Sequence, residues 1–186
     1  MRITGGSWAS HRVAGPGRGT PLRPTPDALR EQAFAILGSR LAGAAFLDLF
    51  AGTGVNALEA LSRGASRVVL VERAPTAGEL IRRNFAALAV PEERWELIAQ
   101  EAQRALPELT ARRVACAFAW CDPPFSSWAD GPAALTLARE LGVLPPGAEV
   151  VLEAPPKVRV ALPGFSLVRE LRGAFLLRVA ARSLSG

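Results

Sequence analysis

The stretch FLDLFAGTGVNALEAL, residues 46–61, decides how the rest of the chain is read. An apolar run holding one acid, Asp48, enters a short turn built from Gly52, Thr53 and Gly54, and an apolar pattern of helical period leaves it. Strand, glycine turn and helix in that order form a unit in which the backbone can approach a ligand closely and the helix offers unpaired N–H groups. The next apolar run, VVLVE, ends on Glu72, an acid placed to hold two ribose hydroxyls. The spacing Gly52-x-Gly54-x-x-Ala57 also fits the dinucleotide fingerprint, so the pattern specifies a nucleoside-containing cofactor without choosing one. Asp48 is expected inside its strand, where a buried acid needs partners. It can take N–H groups of the glycine turn or face a ligand's ammonium, and a mixture of both roles is expected.

Outward from this unit, strands and helices alternate. Strands are expected at 44–50, 66–72, 94–100, 114–120 and 148–155, with helices at 55–63, 75–89, 101–109 and 131–142 between them. The strands are near-continuous apolar runs, as when helices cover both faces of a parallel sheet. Two further strands, 165–172 and 173–182, leave no room for a helix and read as an antiparallel hairpin turning near Arg172 and Gly173. At the other end, RITGG (2–6) reads as a short strand, and 25–37 as a helix with Thr25 as cap, Pro26 in the first helical position and Asp27 in the first turn. The expected fold is an α/β domain with a doubly wound, mostly parallel seven-stranded sheet, an antiparallel C-terminal hairpin and a short N-terminal extension. The domain spans 25–186 and the basic extension 1–24.

A second chemical feature follows the fourth strand of the alternation. Asp122, Pro123, Pro124 and Phe125 (DPPF) come directly after the apolar run ending at Trp120 and Cys121. In a doubly wound sheet, ligands bind where the strand order reverses, at the carboxyl ends of the strands, so this turn and the glycine turn should meet. Proline fixes its own φ and pushes the preceding residue toward extended backbone, which makes Asp122-Pro123-Pro124 a stiff bracket. It presents a carboxylate and carbonyls without competing N–H groups. Such a set of acceptors suits an exocyclic amine, and Phe125 offers a face on which its base can stack. Accepting both N–H bonds of an aromatic amine turns its lone pair toward an electrophile and stabilises the positive charge that develops on alkylation.

The composition narrows the classes. The chain has 186 residues, 49% apolar and 21% charged, the balance of a globular domain. Neither a membrane span nor a secretory leader is visible, and a cytoplasmic protein is expected. With two cysteines and one histidine, a four-ligand zinc site is not expected. Cys116 reads as a core residue, and Cys121 lacks a nearby basic partner that would activate it. The net charge is +5, and no acid precedes Asp27, while Arg2, Arg12, Arg18 and Arg23 do. A glycine-rich, acid-free arm suits a polyanion, although incidental charge on a solvated tail accounts for it equally. Trp95 and Trp120 are expected in the core. Trp8 and Trp128 either stack on nucleic acid or cover a core edge.

DLFAGTG (48–54), LVE (70–72) and DPPF (122–125) resemble the motifs of class I S-adenosylmethionine-dependent methyltransferases acting on amino nitrogens. RITGG (2–6), LRPTPDALRE (22–31) and EALSRGA (59–65) narrow the resemblance to the RsmD family, which methylates the guanine N2 amine of one nucleotide in bacterial 16S ribosomal RNA. The resemblance covers nearly the whole chain. It implies that Gly52 and Gly54 line the methionine part of S-adenosylmethionine, that Thr53 between them also binds the cofactor, that Glu72 holds the ribose, and that Asp122 to Phe125 hold the guanine. Arg23 and Thr25, with Asp27 and Arg30, would close over the methionine end. The family reads the adenine with Asn or Asp before Ala. Here Glu101 stands before Ala102, one methylene longer. Arg2, Arg12 and Arg18 would contact RNA, either free or within an assembling small ribosomal subunit, and a monomer is expected. Three other readings compete: an adenine-N6 methyltransferase, a nicotinamide-dependent oxidoreductase, which leaves DPPF unexplained, and an RNA-binding protein with a disused cofactor pocket.

Overall fold

A computed structural model describes residues 1–15 and 26–181. Five parallel strands, β1 (Ala45–Leu49), β2 (Arg67–Val71), β3 (Trp95–Ile98), β4 (Phe118–Cys121) and β5 (Glu149–Glu153), alternate with helices. These are α2 (Val55–Ser62), α3 (Pro75–Ala87), α4 (Ala102–Ala111) and α5 (Asp130–Glu140), while α1 (Asp27–Leu37) precedes β1. The hairpin β6 (Phe165–Leu171) and β7 (Ala174–Val179) completes a seven-stranded sheet of order β3-β2-β1-β4-β5-β7-β6. The hairpin turns at Arg172 and Gly173, with Gly173 at φ +94°, and β7 inserts antiparallel between β5 and β6. The order reverses between β1 and β4, which pair from Phe46↔Phe118 to Leu49↔Cys121.

Strand alternation sorts the core into two halves. Phe46, Leu70, Trp120 and Val151 face α1, α2 and α3. Leu47, Val69, Cys121 and Leu152 face α4 and α5. Phe34 of α1 stacks on Trp120 with ring centroids 5.5 Å apart, and Trp95 packs partly buried against Phe85 at 4.5 Å. At the sheet's outer edge, β6 slips register between Leu167 and Arg169 and leaves Leu167 and Val168 exposed.

The N-terminal segment departs from the expected short strand. Arg2 forms an isolated bridge to Arg12, flanked by hydrogen bonds from Ile3 N–H to the His11 carbonyl (3.0 Å) and from Val13 N–H to the Met1 carbonyl (3.1 Å), and Ile3 and Val13 are buried against the sheet's helices. The glycines of the segment do not keep it from folding back, because α2 supplies its partners. Glu59, fully buried, accepts the Thr4 N–H at 2.7 Å, the Thr4 hydroxyl at 2.7 Å and Arg63 Nε at 2.8 Å. Gly6 sits at φ +80° against the last turn of α2, where Ser7 N–H reaches the Ser62 carbonyl at 2.8 Å. Arg30, also fully buried, donates to Asp27 Oδ1 at 2.8 Å and to the Arg2 carbonyl, and its Nε lies 3.9 Å from Glu59 Oε2. Asn84 of α3 closes the segment: it exchanges hydrogen bonds with Ala14 N–H (2.9 Å) and carbonyl (3.1 Å) and donates to the Thr53 carbonyl at 2.9 Å.

Pro26 is the N-cap of α1 and not its first helical residue. Its ψ of 135° is extended, and its carbonyl accepts from Arg30 N–H at 3.2 Å. The expected cap, Thr25, and the expected domain boundary lie outside the described residues.

Candidate active site

A cavity of about 1520 Å³ runs along the carboxyl ends of β1, β2, β4 and β5. The glycine turn, the end of β2, the start of α4 and the turn after β4 all line it, so it brings together Gly52, Thr53, Glu72, Glu101, Ala102 and Asp122 to Phe125. Arg18, Arg23 and Thr25 lie outside the described residues. Arg2 and Arg12 do not line the cavity: Arg2 pairs with Asp27 at 3.3 Å, and Arg12 is exposed.

Each of these positions has a local cause. Gly52 (φ +55°) and Gly54 (φ +74°) need left-handed backbone, but only Gly52 lines the cavity. Gly54 instead faces the core: a Cβ there would lie 3.1 Å from Phe85 and 3.2 Å from Ile81 and Leu70. Its lack of a side chain allows close packing of the turn on α3 rather than close approach to a ligand. Glu72 is nearly buried and spans the turn. One oxygen accepts Gly52 N–H at 2.9 Å, and the other accepts Ala74 N–H at 2.8 Å. Glu101 is the N-cap residue of α4, and its side chain reaches Arg73 at 3.3 Å. Asp48 is fully buried and accepts Ala57 N–H at 3.1 Å, from the first turn of α2 and not from the glycine turn. Burial pushes its carboxyl well up, against the lowering effect of the Ala57 hydrogen bond, and the charges of Asp122, Glu72 and Glu153 push it further.

The turn after β4 is braced from behind. Asp122 N–H extends the ladder to the Leu49 carbonyl at 3.3 Å. Pro123 is buried against Gly131 of α5, where an added Cβ would lie 2.6 Å from Pro123 Cγ. Pro124, at φ −54° and ψ 135°, leads into a short 3₁₀ turn, Phe125–Ser127, and Phe125 remains 42% exposed. Cys121 is fully buried beneath, with its thiol pushed well up by burial, and burial raises Cys116 to about 12, so neither is poised as a thiolate. Trp128 covers a core edge, its indole N–H donating to the Glu153 carbonyl at 3.0 Å, and Trp8 packs partly buried on the other core half.

Glu153, Asn56 and Phe50 are among the lining residues that were not expected from the sequence. Glu153 closes β5 as Glu72 closes β2, and an acid ending an apolar strand was the available signal. Asn56, in the first turn of α2, is nearly buried, and its Oδ1 has no hydrogen-bond partner among the described residues. Phe50 holds φ +61°, uncommon for a bulky residue, at the start of the glycine turn. No sequence signal marks the last two. Among the described residues no helix is long and apolar enough to cross a membrane, and no group of acids, cysteines and histidine is arranged to hold a metal ion.

The reversal of strand order between β1 and β4, the glycine turn spanned by a strand-end acid, and the DPPF bracket opening on one cavity together define a class I S-adenosylmethionine-dependent methyltransferase. Residues 1–174 match the family described as Conserved hypothetical protein 95, and the chain belongs to that family. It is 32% identical over 125 residues to YlbH of Bacillus subtilis, provisionally named an rRNA methyltransferase; the match covers 67% of each chain. It is 39% identical over 88 residues to Ribosomal RNA small subunit methyltransferase D of Escherichia coli, covering 47% of this chain and 44% of that relative. A solved structure from E. coli, provisionally titled methyltransferase yhhF, superposes with a TM-score of 0.80 at 26% identity, covering 98% of this chain and 99% of the other.

Proposed function

We propose that the chain transfers a methyl group from S-adenosylmethionine to the exocyclic N2 amine of a guanine in 16S ribosomal RNA. The observation that carries this reading is the single cavity that holds both the glycine turn with Glu72 and the DPPF bracket. The family match and the printed names of the relatives support an rRNA substrate. The nearly buried Asn56, with an acceptor oxygen that has no partner among the described residues, and Glu72 beside the glycine turn fit a cofactor bearing an ammonium and ribose hydroxyls. When bound, S-adenosylmethionine supplies an electrophilic methyl on a sulfonium.

The chain's own residues do the rest. Glu72 and the glycine turn hold the ribose and methionine portions, Ala102 and Glu101 border the adenine, and Phe125 supports the guanine ring. Asp122 and the carbonyls of the proline bracket accept the N2 hydrogens, fix the amine's orientation and stabilise the charge that develops as the N–C bond forms. Asp122 can also receive the proton that the amine then releases. A monomer acting on an assembling small subunit completes the proposal.

The test incubates the protein with labelled S-adenosylmethionine and small-subunit rRNA, free and in subunit particles, then digests the RNA and identifies the methylated nucleoside. N2-methylguanosine at one position is expected. Methyl on adenine, or none on either substrate, would overturn the reading. The exposed Arg12, and Arg18 beyond the described residues, are proposed as phosphate contacts. On single-stranded RNA each contact contributes a slope of about −0.7 in log affinity against log salt. Replacing Arg12 and Arg18 together by alanine should flatten the slope and leave the modified base unchanged. Unchanged affinity at every salt concentration would remove the arm from the RNA interface.

Glu72→Ala should weaken cofactor binding by about 1.5–3 kcal/mol, the range for hydrogen bonds to a charged group. Besides the ribose contact, Gly52 N–H loses its acceptor, so the glycine turn loosens as well. Calorimetric titration with S-adenosylhomocysteine measures this, and an unchanged dissociation constant would move the ribose contact elsewhere.

A further inference from the structure

We propose that Glu153 is a specificity-determining residue whose carboxylate accepts the N1–H of the target guanine beside the N2 amine held at Asp122. The inference rests on the reading of function above and deepens it. The last paired residues of β4 and β5 are Cys121 and Leu152, so Asp122 and Glu153 follow side by side on strands spaced about 4.8 Å apart. By strand alternation both side chains share the face of Trp120 and Val151, and both line the cavity with Phe125. Glu153 is held on two sides. Trp120, fully buried, donates its indole N–H to Glu153 Oε1 at 3.0 Å, and Trp128 donates to the Glu153 carbonyl at 3.0 Å. A carboxylate only 7% exposed, held against the Trp120 indole and lining the cavity, is placed as an acceptor.

The Watson–Crick edge of guanine presents N1–H and the N2 amine next to each other, two donors in a row. Adenine presents a lone pair at N1, which a fixed carboxylate repels. A pair of acids therefore accepts guanine and rejects adenine through one edge, the kind of discrimination that a hydrogen-bonding site makes strongly and an apolar pocket cannot.

The test uses a synthetic RNA carrying the target site with either guanine or 2-aminopurine at the modified position. 2-Aminopurine keeps the N2 amine but has a lone pair at N1. It also lacks O6, a loss common to every enzyme variant, so the guanine to 2-aminopurine ratio of kcat/KM is compared between variants. The wild-type enzyme should favour guanine by about tenfold or more. In Glu153→Gln the amide oxygen can still accept from Trp120 while its N–H donates to the N1 lone pair, so the ratio should fall at least about tenfold, with S-adenosylhomocysteine affinity and melting temperature retained. Equal use of both bases by the wild type, or the same ratio in wild type and Glu153→Gln, would overturn the proposal and leave Glu153 as an anchor for the two tryptophans. If the wild type transfers no methyl to guanine while retaining S-adenosylhomocysteine binding, the functional reading falls and this inference falls with it.

Discussion

Replacing Asp122 by alanine should lower methyl transfer by at least about 10²–10³-fold, the loss expected when one preorganised group facing a developing charge is removed. Cofactor affinity should change little, because the residues placed at the cofactor end are the glycine turn and Glu72, which follow β1 and β2, while Asp122 follows β4. Loss of the carboxylate leaves the bracket's carbonyls in place but deprives the amine of its only charged acceptor in the proposed arrangement. The lone pair then stays delocalised into the ring. Asp122→Asn keeps an oxygen acceptor and should lose less. Single-turnover rates with saturating RNA, set beside calorimetric titration with S-adenosylhomocysteine, separate chemistry from binding. Near-normal turnover in Asp122→Ala would place the amine contact elsewhere.

The largest stability effect is expected far from the chemistry, at Glu59. Its carboxylate is fully buried and engages Thr4 and Arg63, with the fully buried guanidinium of Arg30 nearby. Glu59→Ala removes a buried counter-charge from Arg30 and leaves Thr4 N–H without its acceptor. Breaking a buried pair from one side costs about 3–5 kcal/mol, a large part of the 5–15 kcal/mol typical of a whole domain. Urea unfolding should show that drop in the midpoint with the slope retained. The N-terminal segment should also become the first site of proteolytic cleavage. A loss below about 1 kcal/mol would mean that the segment contributes little to the fold.

How much of this was legible in the sequence depended on how local the cause was. The strand, glycine turn and helix around Gly52 and Gly54 announce themselves because turn chemistry and periodicity act over a few residues. The order of the sheet follows from the alternation and from the handedness of its crossovers. Glu59 could not be read, since its partner Thr4 is 55 residues away and only the folded chain brings the N-terminal segment onto α2. In the same way Gly54 looked like a ligand-facing glycine, when its neighbours are Phe85, Ile81 and Leu70 from later elements. Glu153 was readable in principle, as an acid ending an apolar strand. Its meaning depends on lying beside Asp122, and that neighbourhood belongs to the sheet and not to the chain order. Pro26 stands one position earlier than the general preference for proline inside the first turn predicts, because its ψ of 135° is extended and the helix begins at Asp27.

The bracket formed by Pro123 and Pro124, pressed from behind by the glycine surface of α5, has a consequence for entropy. Holding one residue's backbone in a single conformation costs about 1–2 kcal/mol of lost freedom. In a flexible loop that cost would fall due at each encounter with RNA. Two proline rings restrict the unfolded chain as well, and the contact of Pro123 with Gly131 settles the rest during folding. A nucleotide that must leave its stack to reach the site already meets an unfavourable free energy of a few kcal/mol. The turn after β4 adds no ordering of its own to that barrier, so the binding energy of the flipped base can go into its orientation rather than into arranging the protein.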